Sequence, residues 1–184
     1  MAREDRCPGI RPRPTIGRRL DLAARSGFPA ISTVLLMLLI QAPVGIAGQA
    51  VLLPAITLGC LWFWSLFRPT AMPPPVVFAI GLLLDLLGYL PLGVGVLTLL
   101  TSHAIALRWR RFLSQQGFAL NWLAFVPIAA GAAALTWGLV ALLTLRLIPS
   151  VPALFQAALT AALYPALAIP LARAHHAITG AEEV

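Results

Sequence analysis

The chain has 184 residues, of which 60% are hydrophobic and only 10% are charged, with a formal net charge of +7. This composition excludes an ordinary soluble domain, because a soluble core could not bury so much apolar surface. It is typical of a membrane protein that crosses the bilayer several times. The two cysteines, Cys7 and Cys60, lie in unlike settings and indicate neither a disulfide framework nor a metal site.

An arginine-rich segment, residues 1–27, precedes the first apolar run. Its arginines, prolines and glycines predict a disordered cytoplasmic tail that contacts anionic lipid headgroups. Nucleic acid is not an expected partner, because the arginines have no interleaved aromatic residues and border an apolar span.

Six apolar runs follow the tail. A helix needs about 20 residues to cross a hydrocarbon core of about 30 Å. We therefore predict an all-α polytopic membrane protein, a bundle of about six transmembrane helices. The predicted spans are residues 28–46, 49–67, 74–89, 92–107, 121–145 and 153–172. They make residues 28–173 the transmembrane domain and residues 174–184 a short cytoplasmic C-terminal tail.

The third and fourth spans share so few residues that they must form a tight hairpin, which we expect to turn near Leu90 and Pro91. Orientation follows from arginine, the only basic residue type besides histidine. The arginines fall in the N-terminal tail and after the second, fourth and sixth spans, with Arg146 alone on the other side. By the positive-inside rule, both termini are cytoplasmic.

Asp85 is the only acidic residue between Asp21 and Glu182, and it lies within the third predicted span. An ionised carboxylate that faces lipid costs about 2.5 to 3.5 kcal/mol, so Asp85 must be neutral, paired or in contact with water. On a helix, Gly81, Asp85 and Gly88 share one stripe. Small residues along such a stripe allow close helix approach, so we expect the stripe to face protein.

Two explanations of Asp85 are open. One is an ion pair with Arg146, the lone outer-side arginine, and the other is a helix cap made by the Asp85 carboxylate. If the hairpin turns near Pro91, Thr98 lies almost level with Asp85 and becomes a candidate hydrogen-bond donor to it.

The five tryptophans divide by their distance from the span ends. Trp62, Trp64, Trp109 and Trp122 lie near span ends and are predicted to be interfacial anchors. Trp137 is predicted to pack inside the bundle.

The sequence contains no paired carboxylates, no Ser/His/Asp set, no phosphate-binding glycine loop and no metal-ligand cluster. It therefore predicts no catalytic residue, no cofactor and no metal site, and we do not expect an enzyme.

The segment of residues 81–93, GLLLDLLGYLPLG, resembles the signature hairpin of the bacterial rod shape-determining protein MreD family. In that family an apolar helix ends in Asp-Leu, followed by Gly and then by Pro-Leu-Gly. The chain size, the number of predicted spans and the excess of arginine on the cytoplasmic side are also similar to those of the family. The N-terminal tail is longer than the tails of the family. The resemblance marks the following residues as the core of the motif, without a catalytic role: Asp85, Gly88, Pro91, Leu92 and Gly93.

The resemblance implies a non-enzymatic, multi-pass scaffold of the bacterial inner membrane that belongs to the cell-elongation machinery and helps to regulate cell shape. Its expected partner is MreC, and through MreC the MreB filament, RodA and a transpeptidase. Short loops are compatible with this role, because they leave partners to bind within the bilayer or at the tail.

The alternative is the substrate-binding membrane subunit of an energy-coupling-factor vitamin transporter, which is also a six-helix protein of this size. Such subunits carry an Ala-x-x-x-Ala pattern on the first helix, whereas here Ala30 is followed by Val34. We therefore favour the scaffold.

Overall fold

The computed structural model describes residues 16–42, 49–88, 90–145 and 149–180. In these residues the chain forms six α-helices and one short 3-10 helix, and no β-strand. The α-helices are α1 (Ile16–Gln41), α2 (Gln49–Phe67), α3 (Pro74–Gly88), α4 (Val94–Leu113), α5 (Phe118–Thr144) and α6 (Val151–Gly180). The 3-10 helix, Pro69–Ala71, connects α2 to α3.

Each predicted span coincides with one α-helix, so the predicted all-α fold is confirmed. The bounds of α2 are as predicted, whereas α4 and α6 continue several residues beyond their predicted ends, to Leu113 and Gly180. The predicted ends followed the loss of apolar character at arginines and other polar residues. Arginine is a good helix former, so a span can end at the bilayer surface while its helix continues.

Residues 16–27, predicted as part of a disordered tail, are instead helical and form the first part of α1. The sequence from Arg18 to Arg25 consists mainly of arginine, leucine and alanine, which favour a helix and extend the one that follows. Residues 1–15, which contain the tail's prolines, lie outside the described residues.

Helix α2 lies at the centre of the bundle. It contacts α1, α3, α4 and α6, and every residue from Ala55 to Leu66 is buried. An apolar surface on all sides permits this enclosure, although α5 is equally apolar and is exposed. Helices α1, α3, α4 and α6 therefore pack around α2.

This position overturns part of the tryptophan prediction. Trp62 and Trp64 are 2% and 0% exposed, so they belong to the core and are not interfacial anchors. Trp109 and Trp122 are exposed, as anchors would be, and Trp137 is also partly exposed. The error arose because distance from a span end does not show whether a helix is central or peripheral.

Helices α5 and α6 carry apolar side chains on their outward faces. Among the described residues, Phe118–Thr144 and Val151–Ala174 are long and apolar enough to cross a membrane. Only 17% of the tested window of each is buried within the protein. Apolar surface of this extent is unusual on a water-soluble monomer.

Arg68 and the arginines of α4 gather at one end of the bundle. The Arg110 Nε donates a hydrogen bond of 3.2 Å to the carbonyl oxygen of Leu66, near the end of α2. That carbonyl is among the last four of α2, which lack partners within the helix. Because this bond places Arg68 beside the end of α4, which carries Arg108 and Arg111, we call this end of the bundle the arginine end.

Candidate functional site

Asp85 lies in the last turn of α3 and is 1% exposed. Both of its carboxylate oxygens accept hydrogen bonds from backbone groups at the start of α4. The Gly93 N–H donates to Oδ2 at 2.8 Å, and the Gly95 N–H donates to Oδ1 at 2.6 Å. Asp85 therefore caps the helix that follows it.

The need for this cap follows from the start of α4. The first N–H groups of a helix have no partner within that helix, and an N-cap side chain usually accepts one of them. The N-cap residue of α4 is Gly93, which has no side chain. Asp85 supplies the missing acceptor from the preceding helix and also places a carboxylate at the positive end of the α4 dipole.

Of the two explanations that the sequence left open for Asp85, the helix cap is therefore confirmed. Arg146, the alternative ion-pair partner, lies outside the described residues.

Thr98 is not the predicted donor to Asp85. Its Oγ1 donates to the carbonyl oxygen of Val94 at 2.8 Å and lies 3.3 Å from Oγ1 of Thr136 on α5. The prediction compared only the levels of the two residues along their helices. Inside a helix, a threonine hydroxyl commonly bonds to the carbonyl four residues earlier, while the free N–H groups of α4 lie nearer to Asp85.

The turn between the helices is closed by backbone hydrogen bonds. The Leu90 N–H donates to the carbonyl oxygen of Asp85 at 3.2 Å, a bond that is typical of a Schellman helix end. The Val94 N–H donates to the carbonyl oxygen of Pro91 at 3.2 Å. Gly93 has a φ of 100°, in the left-handed region that favours glycine. The predicted turn near Pro91 is confirmed.

Two glycines set how closely α3 and α4 approach. A Cβ atom at Gly81 would lie 2.6 Å from Cα of Val96, and one at Gly95 would lie 2.5 Å from Oδ1 of Asp85. Neither site has room for a larger residue. At Gly88 the nearest atom would be 3.7 Å away, so this position of the predicted stripe is not tightly packed within the chain.

Two residues that contact the hairpin or belong to it were not among the predicted site residues. Gly95 was absent from the predicted motif, although its N–H makes the shorter bond to Asp85. Gln41 at the end of α1 donates through Nε2 to the carbonyl oxygen of Leu87 at 3.2 Å, which links α1 to the end of α3. The sequence around Gln41 gives no signal of this contact, because the packing of α1 against α3 depends on the tertiary structure.

Leu92 completes the motif on the outside of the turn, where its side chain is 67% exposed. It makes no part of the cap. Its exposure means that the motif has an inner set of residues that shapes the hairpin and an outer residue available for contact with lipid or protein.

A cavity of about 270 Å³ borders the hairpin between α2, α4, α5 and α6. Leu84 and Gly95 form part of its wall, and most of its lining is apolar. Its polar lining residues are Thr98, Thr136, Gln156 and Thr160. The Gln156 Nε2 donates to Oγ1 of Thr160 at 3.3 Å, so the polar groups are partly engaged with each other.

The chemistry available at the hairpin is limited by the burial of Asp85. Its two oxygens hold backbone N–H groups, which leaves the carboxylate poorly placed to act as a general base or a metal ligand. Within the described ranges, no group of three or more His, Cys, Asp or Glu residues is arranged to bind a metal ion.

Comparison of the chain with protein-family models, with curated proteins and with solved structures gives no match. The likeness of residues 81–93 to the MreD hairpin therefore depends on the sequence of that segment alone. The geometry assigns structural roles to Asp85 and Gly93 within it.

Proposed function

We propose that the chain is a multi-pass protein of the bacterial inner membrane in which all six helices cross the bilayer and both termini are cytoplasmic. The exposure of α5 and α6 supports this proposal. A core helix of a soluble protein would be mostly buried, and a signal sequence would lie near the N-terminus, whereas these two helices are exposed and lie in the C-terminal half.

The arginine end supports the proposed orientation. Arg68, Arg110 and their neighbours on α4 gather there, and a one-sided arginine distribution is what the positive-inside rule associates with the cytoplasmic face. The N-terminal tail, residues 1–27, would lie on the same side and contact anionic headgroups. Labelling of single cysteines placed after α2 and after α3 in intact cells tests this orientation.

We further propose that the protein is a non-enzymatic scaffold of the cell-elongation machinery that binds MreC and, through it, acts with MreB, RodA and a transpeptidase. The observation that carries this proposal is the Asp85 cap. The one acidic residue of the motif holds the backbone of the next helix. The motif thus specifies a shape, as expected for a site that a partner recognises.

The exposed face of α3 offers a surface for a partner helix. Phe78, Leu82 and Leu86 follow each other at intervals of four and are all exposed. Gly88 lies two residues beyond Leu86, on the stripe of Gly81 and Asp85, and a Cβ there would meet only Leu90, at 3.7 Å. Helices associate in lipid mainly through close packing, to which both an exposed apolar ridge and a nearby small residue contribute.

Depletion of the protein in its own cells tests the function. We expect rod-shaped cells to become round, and we expect the wild-type gene to restore the rod shape. A Gly88→Leu variant should fold but lose co-purification with MreC, whereas Gly131→Leu on α5, where a Cβ would meet nothing within 4 Å, should keep it. Cells that stay rod-shaped after depletion would show that the scaffold proposal is wrong.

The cavity beside the hairpin favours one other candidate, the vitamin-binding subunit of an energy-coupling-factor transporter. Its polar groups, including Gln156 and Thr160, lie among apolar side chains, as is common in small-molecule sites. In that case depleted cells would keep their shape but require an added vitamin. The purified protein would also bind the vitamin, and Gln156→Leu would weaken this binding.

A further inference from the structure

A second depression, of about 420 Å³, lies between α4 and α5 on the side of the arginine end. We call it the α4–α5 groove. Its principal lining residues are Ile105, Trp109 and Phe112 of α4 and Leu120, Leu123 and Ile128 of α5. Trp109, Phe112 and Leu123 are each more than half exposed, so the groove is open along the outer surface of the bundle.

The groove runs along the helices, in the direction that a lipid chain would take. On α5 it extends from Leu120 to Ile128, eight residues or about 12 Å at 1.5 Å per residue. Trp109 lies on the part of α4 that carries the arginines, and exposed tryptophans favour the interface between headgroups and hydrocarbon. The groove therefore leads from the expected level of the headgroups toward the centre of the bilayer.

Positive charge lies beside the groove. Arg108 directly precedes the groove residue Trp109, about 100° away around α4, and Arg111 lies further round the outer face of the helix. Both arginines are exposed. Among the side chains that the structure describes, the only carboxylate is that of Asp85, far away at the other end of α4. The charge of these two arginines is thus not neutralised from within the described part of the chain.

We propose that the α4–α5 groove binds one anionic phospholipid, with its phosphate at Arg108 and an acyl chain along the groove. The apolar lining recognises the chain, and the Arg108 guanidinium recognises the phosphate. A free phosphate would gain nothing from the lining, and a zwitterionic lipid would bring no net charge to the arginines. This site is separate from the tail of residues 1–27 and requires only that the protein lies in a membrane.

Native mass spectrometry and thermal unfolding of the purified full chain test this proposal. Phosphatidylglycerol or cardiolipin should stay bound in preference to phosphatidylcholine and should raise the unfolding midpoint by several degrees. Arg108→Gln should weaken anionic lipid binding about fivefold, the effect expected of one arginine at a membrane surface. Ala124→Phe, which fills the groove, should abolish the preference.

Two variants serve as matched controls. Arg173→Gln removes an exposed arginine from α6, and Ala134→Phe adds the same ring to an exposed position of α5 outside the groove. Both should bind anionic lipid as the wild type does. An equal loss in Arg173→Gln, or an equal stabilisation of the wild type by glycerol phosphate, would overturn the proposal.

The scaffold proposal and the lipid-site proposal can each be refuted without refuting the other. Retention of the protein in carbonate-washed membranes tests its membrane location independently of lipid preference. Membrane-bound protein that maintains cell shape but binds all lipids equally would refute the lipid site alone.

Discussion

The α3–α4 hairpin and the α5–α6 pair are built in different ways. In the hairpin, short helices approach so closely that Gly81 has no space for a side chain, and one buried carboxylate binds the start of the next helix. The α5 and α6 helices are longer and largely exposed, and their polar contacts join helix faces, from Asn121 to Tyr164 and from Trp122 to the carbonyl oxygen of Ala161. The α3–α4 hairpin is specified by close packing and a cap at its turn, whereas the α5–α6 pair combines long apolar surfaces with contacts along the helices.

This difference explains why the recognisable motif lies in the smaller hairpin. Lipid can cover any apolar surface, so many sequences suit an exposed helix pair in a bilayer. A capped, tightly packed turn accepts very few sequences. We therefore expect equal substitutions in the two pairs to have unequal effects.

The largest effect is expected from Asp85→Leu. It leaves the N–H group of the buried Gly95 without an acceptor, at a cost of about 1 to 3 kcal/mol, and also removes the part-buried bond from Gly93, which should cost less. Asn121→Leu at the start of α5 is the comparison, because Asn121 is also buried and its Oδ1 accepts a bond from the Trp62 indole. Asp85→Leu should lower the midpoint of thermal unfolding in detergent more than Asn121→Leu does. Equal losses would contradict the special role of the cap.

Gly81→Ala should have the next largest effect. Its new Cβ would lie 2.6 Å from the backbone of Val96, so α3 and α4 must separate, at about 1 to 3 kcal/mol. Gly138→Ala makes the same chemical change in α5, where the Cβ would meet nothing within 4 Å. It should be neutral or stabilising by up to about 1 kcal/mol, because alanine favours a helix. If Gly138→Ala lowered the free energy of unfolding and Gly81→Ala left it unchanged, the proposed difference between the two helix pairs would be wrong.

The sequence predicted the six helices and the position of the turn, because long apolar runs and a Pro-Leu-Gly turn are local signals. It also marked Asp85 as a residue that needs a partner, since a carboxylate in a span is costly. It could not choose between Arg146 and the start of α4 as that partner. The choice depends on how closely α3 and α4 approach each other. The contact at Gly81 sets this distance, and it forms only when the two helices pack.

The central position of α2 was likewise not predictable from local sequence. Every predicted span is apolar, so hydropathy does not distinguish an enclosed helix from an exposed one. Trp62 and Trp64 were misplaced for this reason. The bond between Gln41 and Leu87 was missed because it joins residues 46 positions apart through the packing of α1 on α3.

Gly93→Ala should have a moderate effect. Its φ of 100° is unfavourable for a residue with a Cβ, and the left-handed conformation costs about 1 to 2 kcal/mol. Gly117, the N-cap of α5, has a φ of −64° that alanine adopts freely, so Gly117→Ala should cost less than half as much. The comparison of the two unfolding midpoints isolates backbone strain, because neither added Cβ meets an atom within 4 Å. If Gly117→Ala lowered the unfolding midpoint more than Gly93→Ala, backbone strain at Gly93 would not determine the stability of the turn.

The smallest effect is expected from Thr98→Val. Valine keeps the shape of threonine and removes only a hydroxyl that bonds to its own helix and lies 3.3 Å from Thr136 Oγ1 on α5. Bonds between membrane helices contribute about 0.6 kcal/mol on average, so the midpoint should fall by little. Thr101→Val is the control, because the Thr101 hydroxyl donates only to carbonyls of α4 and has no described bond to another helix. A loss in Thr98→Val as large as that in Asp85→Leu would mean that Thr98 binds the carboxylate after all. The carboxylate would then belong to the contact between α4 and α5, and the two hairpins would not be independent units.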